Sequence, residues 1–243
     1  MHDDGYFDEP VAASYDRSSA EMFDPAVLDP TVDLLAELAG NGRALEFAIG
    51  TGRVALPLAA RGVPVTGIEL SDAMVARLRA KPGGDAIEVA IGDMATTEVE
   101  GTFALVYLVF NTIMNLTTQA GQATCFRNAA AHLAPGGRLL IEVMVPQLRR
   151  LPPGERFHVY ESREIHWGVD EYDVVTQGLT SHHFNVVDGR FEHHPMPFRY
   201  VWPAELDLMA EHAGLRLASR WSGWKREPFT AESDGHVSIW VKP

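Results

Sequence analysis

The residues best able to do chemistry are two glycines and three acids, each placed where a predicted strand ends. Gly50 and Gly52 follow the first predicted strand, and because neither carries a Cβ atom they let the backbone approach a ligand closely. Glu46 lies one turn before this glycine pair, Glu69 ends the second predicted strand, and Asp93 follows the third. Ligands of parallel α/β sheets bind at the carboxyl ends of the strands, so we expect the three acids to surround one ligand.

The glycine turn alone leaves two nucleotide cofactors open. The run GTGRVA at 50–55 also satisfies the dinucleotide pattern G-x-G-x-x-A, and Glu69 follows at about the 20-residue spacing of its ribose-binding acid. Charge separates the two, because a pyrophosphate binds helix N-terminal N–H groups and is repelled by a carboxylate as near as Glu46. S-adenosylmethionine (SAM) instead carries an ammonium and a sulfonium, and an opposite-charge contact at roughly 4 Å is worth on the order of a few kcal/mol before desolvation. The acids therefore favour SAM, with an NAD(P)-binding oxidoreductase as the alternative.

The elements that position these residues alternate apolar runs with helical patterns, which is typical of βαβ units and a parallel sheet. The predicted strands of this part are 43–49, 64–70, 86–93, 103–111 and 138–145, and the predicted helices are 54–62, 73–81 and roughly 119–134. Ser71 is placed to cap the helix after the second strand, and Pro203 opens a helix before two final strands, LRLASRW and HVSIWVK. We predict an α/β fold: a Rossmann-like, doubly wound, mostly parallel seven-stranded sheet with a final antiparallel strand, plus a small antiparallel β insert.

The insert is predicted from short, aromatic-rich runs of period two. Asp188-Gly189 is typical of a two-residue hairpin turn, and this register places His183 opposite His194. We expect those two histidines to be exposed to solvent; substrate contact is the second alternative and metal binding the third. Phe184 and Phe191 lie on the other face and are expected to enter a core. Four segments follow: an N-terminal helical lid (1–40), a SAM-binding core (41–145), the antiparallel β insert as a substrate lid or dimer surface (146–200), and a C-terminal completion of the core sheet (201–243).

The segments EFAIGTGR, GIELSDAM, IGDM and LAPGGRLLIEV resemble the successive motifs of class I SAM-dependent methyltransferases. Within that family, the length and the strand-rich insert are similar to small-molecule enzymes such as the antibiotic-sugar N-methyltransferases. The resemblance implies a transferase that moves a methyl group from SAM to an N or O atom of a small molecule (EC 2.1.1.-). It also implies that Glu46, Gly50 and Gly52 face the methionyl end of SAM, that Glu69 faces the ribose, and that Asp93-Met94 faces the adenine.

The full predicted site extends to the neighbours of these residues. The predicted cofactor-binding residues are Glu46, Ala48, Gly50, Thr51, Gly52, Arg53, Glu69, Leu70, Met74, Asp93, Met94, Phe110 and Asn111. Ala48 stands where the family usually has Gly, Met74 and Met94 have core packing as their alternative, and Asp93 has turn capping. The catalytic candidates are Tyr15, whose hydroxyl is expected near the cofactor or the acceptor, and His166 as a base; packing and a structural role are their alternatives.

The composition of the chain limits which kinds of molecule it can bind. The formal net charge of −13 repels phosphate backbones, and no Lys/Arg cluster is larger than Arg149-Arg150, so we expect no nucleic-acid partner. No apolar run approaches the ~20 residues of a membrane span, and the opening MHDDGYFDEP lacks the order of a signal peptide, so we expect no membrane partner and a cytoplasmic enzyme. The single cysteine, Cys125, excludes an intrachain disulfide and is expected to be a buried structural thiol. We expect a small-molecule acceptor and no metal, leave a homodimer open, and keep a non-catalytic methyltransferase-like binding module as a further alternative.

Overall fold

Two β-sheets, one of them flanked by helices, form the part of the chain that the computed structural model describes, residues 6–243; residues 1–5 of the predicted N-terminal lid lie outside the described residues. The α-helices are α1 (Glu9–Ser18), α2 (Pro25–Ala39), α3 (Ala55–Ala60), α4 (Asp72–Arg79), α5 (Gln119–His132) and α6 (Pro203–His212). The strands are β1 (Ala44–Phe47), β2 (Val65–Glu69), β3 (Glu88–Ile91), β4 (Phe103–Leu108), β5 (Leu133–Met144), β6 (Phe157–Ser162), β7 (His166–Asp173), β8 (Gly178–Val187), β9 (Arg190–Arg199), β10 (Arg216–Trp221) and β11 (Gly235–Val241). Short 3₁₀ helices span Ala20–Phe23, Gly84–Ala86, Thr112–Asn115 and Gln147–Arg150.

The larger sheet has seven strands in the order β10-β11-β5-β4-β1-β2-β3. Strands β1 to β5 pair in parallel, and β11 runs antiparallel to both β5 and β10. The prediction of a doubly wound, mostly parallel seven-stranded sheet with a final antiparallel strand is therefore confirmed. The strand order reverses between β1 and β4, and in doubly wound sheets a ligand crevice opens beside the carboxyl ends of the strands at that point.

Apolar clusters fill both faces of this sheet, which is why its central strands read as continuous apolar runs. On one face, α5 and α6 pack around Phe126 and Trp240, whose ring centroids lie 5.5 Å apart. On the other face, α2 and α3 pack around Leu35 and Leu58. Cys125 is buried in the first cluster, and burial raises the pKa of its thiol, as expected of a structural residue. Within residues 6–243, the helices are all too short or too polar to cross a membrane.

The smaller sheet is an antiparallel array in the order β6-β7-β8-β9. The β8–β9 hairpin has the predicted register, with His183 opposite His194. Asp188 (φ +51°) and Gly189 (φ +73°) form its turn, and the two positive φ angles are those that a tight hairpin of this type requires. The predicted small antiparallel insert is thus present, with its hairpin in the expected position.

The orientation predicted for this hairpin was wrong. Phe191 is 66% exposed, and the ring of Phe184 stacks on Phe191 and His193 at centroid distances of 5.6 and 4.5 Å on the outer face. The buried face is fixed at the opposite end of the sheet, where Tyr172 and Leu179 join the main core. Because side chains alternate along a strand, anchoring Leu179 inward turns the aromatic residues near the turn outward.

Candidate active site

The turn after β1 is built from three residues with positive φ angles: Ala48 (+55°), Gly50 (+56°) and Gly52 (+78°). A Cβ atom on Gly52 would overlap the Leu78 side chain of α4, so this position needs glycine for space as well as for its conformation. Ala48 keeps the left-handed conformation even though it carries a Cβ atom, at a cost of roughly 1–2 kcal/mol. The replacement of the usual glycine therefore leaves the shape of the turn intact.

Glu69, at the end of β2, connects this turn to the start of α4. Its Oε2 accepts the Gly50 N–H at 2.7 Å and its Oε1 accepts the Ser71 N–H at 2.9 Å, and the residue is only 5% exposed. Ser71 in turn caps α4 by accepting the Met74 N–H at 3.2 Å, as predicted. The Glu69 carboxylate is therefore held in one orientation at the mouth of the β1 turn.

Glu46 lies on β1 and is 4% exposed. The pKa of its carboxyl is raised to about 8, mainly by burial and also by the nearby Glu69, while a hydrogen bond from Tyr107 and the charge of Arg53 oppose this rise. The Tyr107 hydroxyl donates to Glu46 Oε2 at 2.9 Å from the neighbouring strand β4. Sequence reasoning did not find Tyr107, because its pairing with Glu46 depends on the register between β1 and β4.

Arg53 is the cation of this site. Its guanidinium lies 5.2 Å from the ring centroid of Phe110, and its charge lowers the pKa of both Glu46 and Glu142. Glu142 is a second buried acid, on β5; burial raises its pKa, and its carboxylate accepts the Phe110 N–H. Sequence reasoning missed Glu142, although an acid inside the apolar strand RLLIEVMV was a signal that could have found it.

The end of β4 lies next to these acids. We call Glu46, Glu69, Glu142 and Arg53, together with the end of β4, the rim of the site. Phe110 (φ +61°) and Asn111 (φ +60°) both adopt the left-handed conformation, and Phe110 is 38% exposed. The Asn111 side chain accepts the Met144 N–H at 2.7 Å, which connects the ends of β4 and β5. Phe110 and Asn111 therefore lie beside Arg53 and Glu142.

The predicted residues that follow β2 and β3 differ in how far their side chains are exposed. Asp93 is exposed and its Oδ1 accepts the Ala95 N–H at 2.8 Å, which is the turn-capping role that the sequence left as an alternative. Met74 and Met94 are 2% and 8% exposed, so both side chains are largely buried. Leu70 is 38% exposed beside Glu69. Of this group, Asp93 and Leu70 offer the more accessible side chains.

Tyr15, from α1, is brought to the acidic rim. Burial raises the pKa of its hydroxyl; the charge of Arg53 lowers this pKa and that of Glu69 raises it, so the phenol lies within electrostatic reach of both. The segment before α1 is fixed near the same place, because the Ser71 hydroxyl donates to the Phe7 carbonyl at 2.5 Å. The rings of Phe7 and Tyr15 are 6.2 Å apart. The N-terminal residues thus cover the mouth of the β1 turn.

Helix α1 is also attached to the turn by charge. The Thr51 hydroxyl donates to Asp16 at 2.6 Å, and Lys81 pairs with Asp16 at 2.5 Å while donating to the Thr51 carbonyl at 2.8 Å. Glu9, at the start of α1, pairs with Arg77 of α4. Sequence reasoning placed Thr51 in the site, but the structure gives its hydroxyl a protein partner on α1.

His166 lies apart from this rim, on strand β7 of the small sheet. Its Nδ1 is 2.7 Å from Asn185 Oδ1 and its Nε2 is 3.2 Å from Glu161 Oε2, so both ring nitrogens have polar partners. The structure therefore brings together Tyr15 and the residues of the rim, and leaves His166 in a second polar cluster. Within residues 6–243, no group of three or more His, Cys, Asp or Glu side chains is arranged to hold a metal ion.

Known proteins similar to this chain are methyltransferases. A family model described as a methyltransferase domain matches residues 44–137. The solved structure of the CcbJ methyltransferase from Streptomyces caelestis is similar over 98% of each chain, with a TM-score of 0.87 and 34% identity. The curated cypemycin N-terminal methyltransferase of a Streptomyces species is 27% identical over 241 residues, 96% of each chain. The SAM-bound structure of CalS10, an amino pentose methyltransferase from Micromonospora echinaspora, has a TM-score of 0.70 at 23% identity over 95% of each chain, a likeness of fold.

Proposed function

Because the chain belongs to the class I SAM-dependent methyltransferases, we propose that it transfers the methyl group of SAM to the nitrogen atom of a small-molecule amine. The observation that carries the choice of nitrogen is the excess of buried or half-buried acids around the site: Glu46, Glu69 and Glu142 on the rim, and Glu161 and Asp170 on the small sheet. An ammonium group is favoured by such surroundings and an anionic acceptor is repelled. The similarity to the cypemycin N-terminal methyltransferase, which covers 96% of each chain, supports the same choice.

The methionyl end of SAM is proposed to bind between Glu46 and Arg53. This end carries both an ammonium and a carboxylate, and the two side chains offer the matching pair of charges at one place. An arginine–carboxylate contact is a charge-assisted hydrogen bond and among the stronger ones in proteins. The glycines of the β1 turn let the backbone approach this part of the ligand.

The nucleoside is proposed to lie along the ends of β2 and β3. Glu69 is placed to accept the ribose hydroxyls, since its carboxylate is already oriented by two backbone N–H groups. Asp93 and Met94 are proposed to meet the adenine, and Leu70 and Asn111 to bound the nucleoside. Bound SAM supplies an activated methyl group on a positively charged sulfur. The chain's own residues then hold the acceptor in line with that methyl group and exclude water, which is most of what such a displacement needs from the protein.

Turnover tests the choice of acceptor atom. The full chain is incubated with SAM and with pairs of small molecules that differ in one atom, such as alaninamide with lactamide and glucosamine with glucose. We expect S-adenosylhomocysteine (SAH) and a methylated product with the amines and none with their hydroxyl partners. Methylation of the hydroxyl compounds alone would contradict the proposal. SAM binding without turnover on any amine, including peptides and amino sugars, would favour the non-catalytic binding module.

The raised pKa of Glu46 predicts that SAM binding releases a proton. In the free protein the carboxyl, with a pKa of about 8, is mostly protonated at pH 7. A bound ammonium stabilises the carboxylate and lowers this pKa, so about one proton leaves per SAM bound at pH 7. Calorimetry in two buffers of different ionisation enthalpy measures that proton. Glu46→Gln, which retains an oxygen for the Tyr107 hydroxyl, is expected to abolish the release, and a wild-type heat that does not depend on the buffer would contradict the assignment.

A further inference from the structure

The inner face of the small sheet carries a polar cluster that the cofactor site does not use. We define the inner face as the side of β6–β9 on which Tyr172 and Leu179 are buried in the main core. Alternation along the strands places Ser181 and His183 of β8 on this same face, and the pairing of β7 with β8 adds His166. The inner face is therefore apolar where it joins the core and polar towards the hairpin.

A β-bulge adds two more polar side chains to this face. The pairing of β6 with β7 shifts register between Val159 and Glu161, so Tyr160 is an extra residue in its strand. Such a bulge re-aims side chains, and here Tyr160 and the next residue, Glu161, both contact inner-face residues. Gly168 makes room for the tyrosine, because a Cβ atom there would lie 2.6 Å from the Tyr160 hydroxyl oxygen and still closer to the ring.

The tyrosine hydroxyl is part of a hydrogen-bonded chain. Tyr160 Oη lies 3.2 Å from His183 Nδ1 and accepts the Ser181 hydroxyl at 3.3 Å. His166, the base expected from the sequence, is held at both nitrogens by Asn185 and Glu161 and packs 5.9 Å from the His183 ring. Of the two histidines, His183 is thus the one hydrogen-bonded to the hydroxyl of Tyr160, a residue that is 41% exposed.

The Tyr160 hydroxyl lies on the same side of the molecule as the cofactor rim. Tyr160 is 41% exposed, and it lies within electrostatic reach of Tyr6. The rings of Tyr6 and Phe7 are 5.6 Å apart and those of Phe7 and Tyr15 are 6.2 Å apart, so a row of aromatic rings runs from Tyr6 to the rim. Arg163, beyond the bulge, also pairs with Glu21, which follows α1 in the chain, at 3.1 Å.

The base of the small sheet is attached to the carboxyl end of β4. Gln122 of α5 donates to the carbonyl of Arg199, which ends β9, at 3.0 Å and to that of Ile113, which follows β4, at 3.2 Å. Gln122 therefore connects the end of β9 in the small sheet to the segment that follows β4 in the larger sheet.

We propose that the acceptor binds between the inner face and the cofactor rim, that Tyr160 contacts its amino group there, and that His183, acting through the Tyr160 hydroxyl, takes its proton before methyl transfer. This inference rests on the proposed N-methyltransferase function. Tyr160 is then the catalytic residue that touches the substrate, and His183 is the proton acceptor behind it. Ser181, His166 and Glu161 are positioning residues.

The protonation states agree with this division of roles. Burial lowers the pKa of His183, and the neighbouring His166 lowers it further, so the imidazole is neutral at pH 7 and can accept a proton. Burial raises the pKa of Tyr160, so its hydroxyl passes a proton on rather than standing as a phenolate. The titratable groups that face His183 are Tyr160 and Glu161 from β6, His166 from β7, His182 from its own strand and His194 from β9.

The proton and electron balance of the step is simple. The acceptor ammonium gives one proton through the tyrosine hydroxyl to His183, which becomes imidazolium, and the nitrogen keeps the lone pair. That lone pair forms the N–CH3 bond as the S–CH3 bond breaks, and the bonding pair stays on sulfur as a neutral thioether. The product is an N-methylammonium, and the imidazolium returns its proton to water.

Two variants and one matched control test the proposal. Tyr160→Phe removes the hydroxyl and keeps the ring, and His183→Gln removes the base. At pH 7, with an amine probe such as alaninamide, we expect either change to lower kcat by roughly 10- to 100-fold, because most of the amine is protonated and must lose its proton elsewhere. SAM affinity is expected to stay within about twofold of wild type. His193→Gln, a histidine on the exposed outer face of the same hairpin, is expected to leave kcat unchanged.

A pH profile separates this role from a structural one. The rate of both variants is expected to approach the wild-type rate near pH 10, where the amine has lost its proton in solution, whereas a misfolded site gains nothing from higher pH. Wild-type rates for both variants at pH 7 on the probe that the enzyme methylates would overturn the proposal. If hydroxyl probes alone are methylated, the choice of nitrogen fails and the same two variants still test the proton acceptor.

Histidine NMR gives a readout that needs no turnover. In the SAH-bound full chain, His183 is expected to titrate below the ordinary range of histidine and to change its titration in Tyr160→Phe. An ordinary His183 titration that ignores this change would show that the two groups are not joined, and the proposal would fall.

Discussion

Replacing Glu69 with alanine is expected to weaken SAM binding by roughly 30- to 1000-fold. The change removes the proposed ribose acceptor, and the net contribution of a hydrogen bond is about 0.5–1.5 kcal/mol, or more where one partner is charged. It also takes the partner from the buried N–H groups of Gly50 and Ser71, which lets the β1 turn move. The total, on the order of 2–4 kcal/mol, corresponds to the stated range of affinity.

Calorimetry with SAM and SAH measures the effect of the Glu69 change. Glu69→Gln keeps the shape and one oxygen, so it is expected to lie between alanine and wild type. Glu88→Ala is the matched control, because Glu88 is an exposed acid at the start of β3, away from the carboxyl end of that strand. A Glu69→Ala affinity within threefold of wild type would remove Glu69 from the cofactor site.

Replacing Arg53 with methionine is expected to weaken SAM and SAH by a similar factor, but for a different part of the ligand. The side chain is proposed to bind the methionyl carboxylate, and its charge also offsets the buried acids Glu46 and Glu142. Loss of a charge-assisted contact in this position costs about 2–3 kcal/mol. Without Arg53 the pKa of Glu46 rises further, which makes it a poorer partner for the ammonium.

A truncated ligand separates the two variants. 5′-Methylthioadenosine has the nucleoside and the thioether but neither the ammonium nor the carboxylate. We expect Arg53→Met to bind it as wild type does, and Glu69→Ala to bind it more weakly. Arg61→Met, which alters an arginine paired with Asp29 and Asp33 on the surface, is the control. Equal losses of both ligands in Arg53→Met would mean that the turn had collapsed, and the assignment of Arg53 to the carboxylate would be wrong.

The sequence predicts the sheet and the places where its strands end, because both depend on local patterns. Apolar runs between helical segments predict the strands of a doubly wound fold, and Ser71 predicts the start of α4. The hairpin register could also be predicted, since Asp188-Gly189 defines its own turn. These features need no information about distant contacts.

The residues that surround the acids of the site could not be predicted, because they lie on strands that are distant in the sequence. Tyr107 meets Glu46 through the alignment of β1 with β4, and Glu142 reaches the rim from β5. The small sheet shows the same limit: its strand pattern is visible, but which face turns inward depends on Leu179 joining a core built elsewhere. The bulge that presents Tyr160 likewise has no local signature that separates it from a regular strand.

The glycine pattern could not by itself separate the two cofactors, and the acids could. An NAD(P)-binding oxidoreductase, the alternative that GTGRVA left open, is excluded by membership of the methyltransferase family. The buried Glu142 adds a further carboxyl group near the turn, and neither it nor Glu46 offers the N–H groups that a pyrophosphate binds. Charge at the strand ends was therefore a better guide to the ligand than the turn itself.

Three ion pairs hold α1 and the segment that follows it in place beside the β1 turn. Asp16 with Lys81, Glu9 with Arg77, and Glu21 with Arg163 are pairs whose side chains are partly or largely in contact with water. Mobile ions weaken such pairs, with a screening length of roughly 8 Å at physiological salt. Since Tyr15 shares the helix with Asp16, we expect the position of α1 over the proposed nucleotide site to depend on the salt concentration. We therefore expect the proposed nucleotide complex to dissociate faster as salt is added, even though Glu46 and Glu69 are themselves buried.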